Sequence, residues 1–221
     1  MPRLTREESR ALTRAKLLDS ARVVIAREGY ESASIDRIAE DAGFSKGAFY
    51  SNFVSKEEVV LELLEAHSAK DVADIEGLLG ESREPLHMIE VISAWSLERS
   101  RDPSWGLLAL EVFRRARREK TFGKRHLNLF RAQWRGMGEI LMALFPPGTA
   151  PADAETLGGL VMELTYGAAS SFKAGPTAGD MVKLVLTSLY RSHGEGGAAQ
   201  AVSKAPRRAG AAAARSNTLT R

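Results

Sequence analysis

An all-α fold in two unequal parts is predicted by three observations. Apolar residues recur at i, i+3, i+4 and i+7 along nearly the whole chain, the period of a helix with one buried face. β-Branched residues are sparse, and no stretch alternates apolar and polar over strand length. The punctuation is helical as well. Thr5-x-x-Glu8 and Ser55-x-x-Glu58 have the spacing of capping boxes, in which the hydroxyl accepts from the N3 amide and the carboxylate reaches back.

On this basis nine helices are expected, over 5–28, 35–42, 46–52, 56–79, 85–100, 103–118, 122–145, 152–173 and 177–191. The first carries Leu17, Leu18, Ala21, Val24 and Ile25 on its inner face and ends at Gly29. In the second, Ile35, Ile38, Ala39 and Ala42 line one side, with Ser34 as N-cap. Gly43 turns the chain, Phe44 plugs the turn, and Ser45 caps a third helix whose Phe49 and Phe53 share a face. Ser55 opens the fourth. Pro85, Pro103 and Pro151 introduce later runs at positions where a missing N–H costs nothing, and Asp102 precedes Pro103 as a cap. Pro146-Pro147-Gly148 closes the seventh. The expected organisation is a small unit over 1–55, a helical body over 56–193 and a tail over 194–221. That tail holds nine Ala and four Gly but few larger aliphatics, so disorder is expected there.

The chain has 221 residues, 44% hydrophobic and 27% charged, which is the composition of an ordinary globular protein with a real core. The absence of cysteine excludes disulfides, thiolate metal sites and a Cys nucleophile. No apolar run approaches the ~18–20 residues of a membrane span. The N-terminus is charged where a secretion signal needs an apolar stretch, so the cytoplasm is the expected location and no membrane partner is expected. The net charge of +3 comes from the tail, where Lys204, Arg207, Arg208, Arg215 and Arg221 face Glu195 alone. Any nucleic-acid role must therefore rest on local pattern.

That pattern lies between Ser34 and Lys56. Two helices joined by a short Gly-containing turn describe a helix-turn-helix, whose second helix enters the major groove. They also describe a plain helical hairpin inside a bundle. Two features favour the first. The outward residues Lys46, Gly47, Ala48, Tyr50, Ser51 and Asn52 include no acid, and the long helix that follows presents its N-terminus, with Lys56, to a phosphate. Lys46 and Tyr50 supply a charge and a hydroxyl, while Gly47 and Ala48 let the backbone approach DNA.

The stretch GYESASIDRIAEDAGFSKGAFYSNFVSKEEVV resembles the DNA-binding signature of TetR-family (TetR/AcrR-type) transcriptional regulators over roughly residues 12–66. The resemblance implies phosphate contacts from Ser34, Ser45, Lys46, Tyr50 and Lys56, and base approach by Gly47, Ala48 and Ser51. Asn52 stands where Tyr or His is frequent, Ala33 and Ala48 where Thr is frequent, and Ile25 where Phe is frequent. These departures leave the fold expectation intact and the operator sequence undefined. The family also implies a C-terminal helical domain that binds a small molecule and forms a homodimer through its last two helices. The implied function is a regulator, most often a repressor, released from a palindromic DNA operator by an effector.

For the effector pocket the candidates are Trp95, Trp105, Phe113, His126, Phe130, Trp134, Met137, Met162 and Tyr166, since aromatics and Met line adaptable apolar cavities. Each is also an ordinary core residue. As a set they suggest an apolar or aromatic ligand. For the dimer interface the candidates are Leu157, Leu160, Val161, Leu164, Ala168, Leu184, Val185 and Leu189, with Gly158, Gly159 and Gly167 allowing close helix approach; an intramolecular helix pair is the alternative. Arg114, Arg115, Arg117 and Arg118 suit the negative end of a helix. Enzymatic chemistry has no support: His67, His87, His126 and His193 lack metal-ligand spacing, and no phosphate-cradling loop follows a strand. Asp71, Asp74 and Glu76 read as a solvated face. No catalytic residue, metal or cofactor is expected.

Overall fold

The computed structural model describes residues 5–116, 120–167 and 175–195; the side chains of 112–116, 120–123, 125, 126 and 195 lie outside that description. Expectations for Phe113, His126, Ala168, the arginine run and residues 196–221 therefore fall outside the described residues. Among the described residues there are nine α-helices and no strand. They are α1 (Arg6–Glu28), α2 (Ile35–Asp41), α3 (Lys46–Tyr50), α4 (Lys56–Leu79), α5 (Pro85–Ser100), α6 (Ser104–Ala116), α7 (Lys120–Met142), α8 (Ala154–Tyr166) and α9 (Ala178–Leu189). A π-helical turn, Tyr190–Glu195, extends α9. It carries Gly194, the first residue of the expected tail, into a buried position.

The caps explain the boundaries. Thr5 and Glu8 close a full capping box, as the spacing predicts. At α4 the box is altered: Ser55 accepts from the Glu58 amide, but the Glu58 carboxylate accepts from the Val54 N–H at 2.6 Å instead of that of Ser55. Glu84 caps α5 ahead of Pro85, and the Asp102 carboxylate accepts from the Ser104 amide at 3.0 Å. α8 starts two residues later than expected because Asp153 takes the cap. α7 ends at Met142, short of the expected 145, where the next residues tighten into turns.

Two apolar clusters form the interior. One joins Leu17, Val24, Ile38, Phe49 and Phe53 to Val59, Val60, Leu63 and Leu64 of α4 and reaches Leu108 and Phe130. The first half of α4 thus packs into the same cluster as α1, α2 and α3. The other gathers Ile75, Met88, Ile92, Trp95, Met137, Leu141, Val161, Val182 and Leu186. Trp134 packs against both.

The small residues of α8 serve an intramolecular contact. A Cβ on Gly158 would overlap the Trp134 carbonyl of α7, and one on Gly138 would overlap the Ala154 carbonyl, so these helices touch backbone to backbone. On α9, a Cβ at Gly179 would come 2.7 Å from the Ser93 carbonyl oxygen of α5. Leu157 and Val161, expected at a dimer face, are buried in the chain's own core for the same reason. Leu160 and Leu184 stay exposed, at 38% and 69%. Leu164, Val185 and Leu189 are half-buried.

Gly158→Ala is expected to lower stability by about 1–3 kcal/mol, because the helices must separate to admit a methyl group. Gly159→Ala, whose Cβ would sit at ordinary contact distance from the Trp134 ring, 3.4 Å, is expected to change little. Urea unfolding of both variants checks the contrast.

Candidate DNA-reading head and ligand cavity

The head is built around its turn. Gly43 adopts φ 77°, which a residue with a Cβ rarely does, and lets the Phe44 amide return to the Ala39 carbonyl at 2.8 Å. Ala39 is fully buried where α1 and α2 meet, and Ser20 of α1 donates to the Ile38 carbonyl at 2.8 Å. Ser34 and Ser45, both exposed, cap α2 and α3. In α3 the division of faces is complete: Phe49 is fully buried, and Tyr50 is 52% exposed. Lys46, Gly47 and Ser51 are exposed as well.

Lys46 Nζ pairs with Asp36 at 2.7 Å, tying α3 to the start of α2 and raising the lysine pKa. The pair is open to solvent on both sides, so exchanging the carboxylate for a phosphate costs little. Ser51 Oγ donates to the Gly47 carbonyl and Asn52 Nδ2 to the Ala48 carbonyl. Those two polar groups are therefore engaged in finishing α3. Its last carbonyls are held from α1: Arg10 reaches Ser51 O at 3.3 Å, and Arg14 donates to Asn52 O while pairing with Glu62 of α4. The Arg14 guanidinium also lies 4.0 Å over the Phe53 ring.

The Lys56 ammonium departs from the expectation. It donates to the carbonyls of Tyr30 and Ala33, the latter at 2.8 Å, and lies 4.2 Å over the Tyr30 ring. Tyr30 in turn donates its hydroxyl to Glu57 at 2.9 Å. Lys56 binds the end of α4 to the α1–α2 turn, and its charge serves the head's own backbone.

In the body a cavity of about 380 Å3 opens between α4, α6, α7 and α8. Trp105, Phe130, Trp134, Met162 and Tyr166 line it. Trp95 and Met137 do not. Trp95 sits on α5, packs in the second cluster and borders a separate cleft between α4 and α5. Met137 is fully buried beside Gly138, where α7 and α8 close on each other. A second, larger cleft of about 570 Å3 lies between α1 and α6, and Trp105 and Leu110 border both spaces.

The cavity's polar wall was not expected from sequence. The His67 ring stacks on the Trp105 indole at 3.8 Å and 8°. Tyr166 donates its hydroxyl to Asp71 Oδ2 at 2.7 Å, and the Tyr166 oxygen lies 2.8 Å from His67 Nε2. Asp71, expected on a solvated face, is completely buried; Arg99 Nε pairs with it at 3.0 Å, and Arg99 also pairs with Asp74. Burial pushes Asp71 from 3.8 up to about 6, with Tyr166 and Arg99 pulling the other way. Burial, then Arg99, pushes His67 from 6.5 down to about 4, so its imidazole is neutral at neutral pH. Burial and the Asp71 charge raise the Tyr166 phenol. The signal was the spacing: 60, 64, 67, 71 and 75 form one inner stripe of α4 in which two polar residues continue an apolar face.

Residues 17–63 match the family described as bacterial regulatory proteins, tetR family. An HTH-type transcriptional repressor of Mycobacterium tuberculosis is 28% identical over 126 residues, a stretch covering 56% of this chain and 61% of the relative. The HTH-type transcriptional repressor AcnR of Corynebacterium glutamicum is 29% identical over 122 residues, covering 55% and 56%. The chain thus spans about three fifths of the length of these relatives. Among solved structures, Salmonella enterica GusR superposes with a TM-score of 0.62 at 20% identity, covering 86% of this chain and 100% of its own. FadR from Bacillus subtilis in complex with stearoyl-CoA gives 0.59 at 16%, covering 80% and 95%. Both share the fold.

The His67 shift has a signed consequence. A depressed His pKa contributes stability that is fully present above 6.5 and lost as pH falls through about 4. Asp71 acts oppositely, its contribution being lost as pH rises through about 6, but it is common to wild type and a His67→Phe variant. Denaturant unfolding at several pH values is expected to show the wild type losing stability relative to His67→Phe between pH 6.5 and about 4. A constant difference would contradict the buried neutral imidazole.

Proposed function

We propose that this chain, which belongs by residues 17–63 to the TetR family of bacterial regulatory proteins, is a ligand-responsive repressor that binds a palindromic DNA operator as a homodimer. One observation carries the reading: α3 and the turn after it bury Phe49 and Phe53, while α3 presents Lys46 and Tyr50 outward behind its Ser45 cap. Lys46, Tyr50, Ser34 and Ser45 meet phosphates, with the N-terminal amides of α2 and α3 beside them. Gly47 and Ala48 allow close approach to base edges. The second copy packs against α8 and α9 at Leu160, Leu184 and their half-buried neighbours, and two heads then address successive major grooves about 34 Å apart.

The effector occupies the cavity beside Trp105 and Trp134. α4 borders that cavity through Leu64 and His67 and holds the head through Lys56 and Glu62. A ligand that prefers one setting of α4 therefore shifts the spacing of the heads by its differential affinity for the two settings. Relatives named as repressors and a solved neighbour holding stearoyl-CoA support this reading.

Fluorescence anisotropy with a duplex from upstream of the protein's own gene tests it. The wild type is expected to form a sequence-selective, salt-sensitive complex. Lys46→Ala is expected to weaken it and lower the log–log salt slope by about one per head. Leu184→Glu is expected to yield monomers in sedimentation and to lose most of the affinity. Absence of any selective complex, or full affinity in Lys46→Ala with an unchanged slope, would refute the proposal.

A further inference from the structure

The polar wall of the cavity restricts what its occupant can be. Tyr166 has one hydroxyl proton and gives it to Asp71 Oδ2 at 2.7 Å. The 2.8 Å contact between its oxygen and His67 Nε2 is then a hydrogen bond only if Nε2 carries a proton and donates. The imidazole is thereby held as one tautomer, with Nδ1 a bare acceptor. Among the described residues no group donates to Nδ1, although the His67 side chain is only 9% exposed and lines the cavity. Gln133 directs its amide nitrogen to Asp71 at 3.4 Å, which keeps its oxygen as a second acceptor.

The rest of the lining sets shape and charge. Trp105, Trp134 and Phe130 offer ring faces and edges, and Met162 an adaptable wall. Among the described lining residues Glu163 carries the one formal charge, and Arg99 nearby is engaged by both Asp71 and Asp74. An anion would meet a carboxylate and no described cation. At about 380 Å3 the space lies at the lower end of the roughly 300–1,000 Å3 usual for ligand pockets.

From these features we infer that the effector is a small uncharged aromatic compound bearing a hydroxyl or N–H group, which donates to His67 Nδ1 while its ring packs against Trp105 and Trp134. The inference rests on the cavity being the effector site of the proposed repressor, and it narrows that site to one ligand chemistry.

Calorimetric titration of the full chain with three probes of equal skeleton decides it: 2-naphthol, 2-methoxynaphthalene and 2-naphthoate. The naphthol is expected to bind at least about tenfold more tightly than either of the others, since the ether leaves a buried acceptor unpaired and the carboxylate is charged. His67→Phe keeps a stacking ring without the acceptor and is expected to erase the preference over the ether. His67→Asn, whose amide oxygen can stand near the Nδ1 position, is expected to retain part of it. Equal binding of naphthol and ether by the wild type, tighter binding of naphthoate, or no binding of any probe overturns the inference, and none of these needs a variant to fold. DNA binding by the unliganded protein is measured separately. A selective DNA complex without the naphthol preference refutes the ligand class alone, whereas the preference without any DNA complex refutes the repressor reading and leaves the cavity chemistry standing.

Discussion

Helix α4 is gripped at one end by the reading head and lined along its middle by the cavity, and the rest of the structure depends on that double attachment. Lys56 clasps the Tyr30 and Ala33 carbonyls, Glu57 takes the Tyr30 hydroxyl, and Glu62 pairs with Arg14, which also holds the last turn of α3. A few turns on, His67 and Asp71 face Tyr166 of α8 and Gln133 of α7. With 24 residues and no proline, α4 spans about 36 Å at 1.5 Å per residue as one continuous rod. A displacement at the cavity has no flexible joint within α4 in which to dissipate before the head.

The buried carboxylate of Asp71 is the costly part of this arrangement. An ion taken out of water is tolerated only when its partners replace the lost solvation. Here Arg99, Tyr166 and Gln133, from three other helices, offset part of that cost, which orders α4, α5, α7 and α8 around one point. An apolar residue at position 71 would fill the same space without fixing the Tyr166 hydroxyl or the His67 tautomer. The charge thus exerts its effect through orientation: it makes the cavity wall directional, where hydrophobic packing alone would leave it indifferent to the ligand's polarity.

Much of the head was legible in the sequence because its constraints are local. The Ile35–Ile38–Ala39 stripe, the Gly43 turn and the Phe49–Phe53 pair each act within a few residues, and the structure buries Ile38, Ala39, Phe49 and Phe53 as their spacing requires. The contacts of Lys56 were not legible because its partners, the carbonyls of Tyr30 and Ala33, lie more than twenty residues away and carry no side-chain signature. The cavity was half visible. Aromatics on α6 and α7 announce apolar surface, but whether two helices close over it depends on small residues such as Gly138 and Gly158, which explains why Met137 is sealed in while Trp134 borders open space. Leu157 and Val161 illustrate the same limit: periodicity identifies a buried face without saying whether its partner lies in the same chain. Asp71 looked solvated because charged residue types usually are.

Hydroxyl-radical footprinting of a duplex from upstream of the protein's own gene bears most directly on this account. The expected result is a pair of protected patches on one side of the helix, centred about one turn apart, mirrored across a sequence dyad. A single patch, or uniform protection that follows no sequence, would mean that two copies of α3 do not read the duplex together.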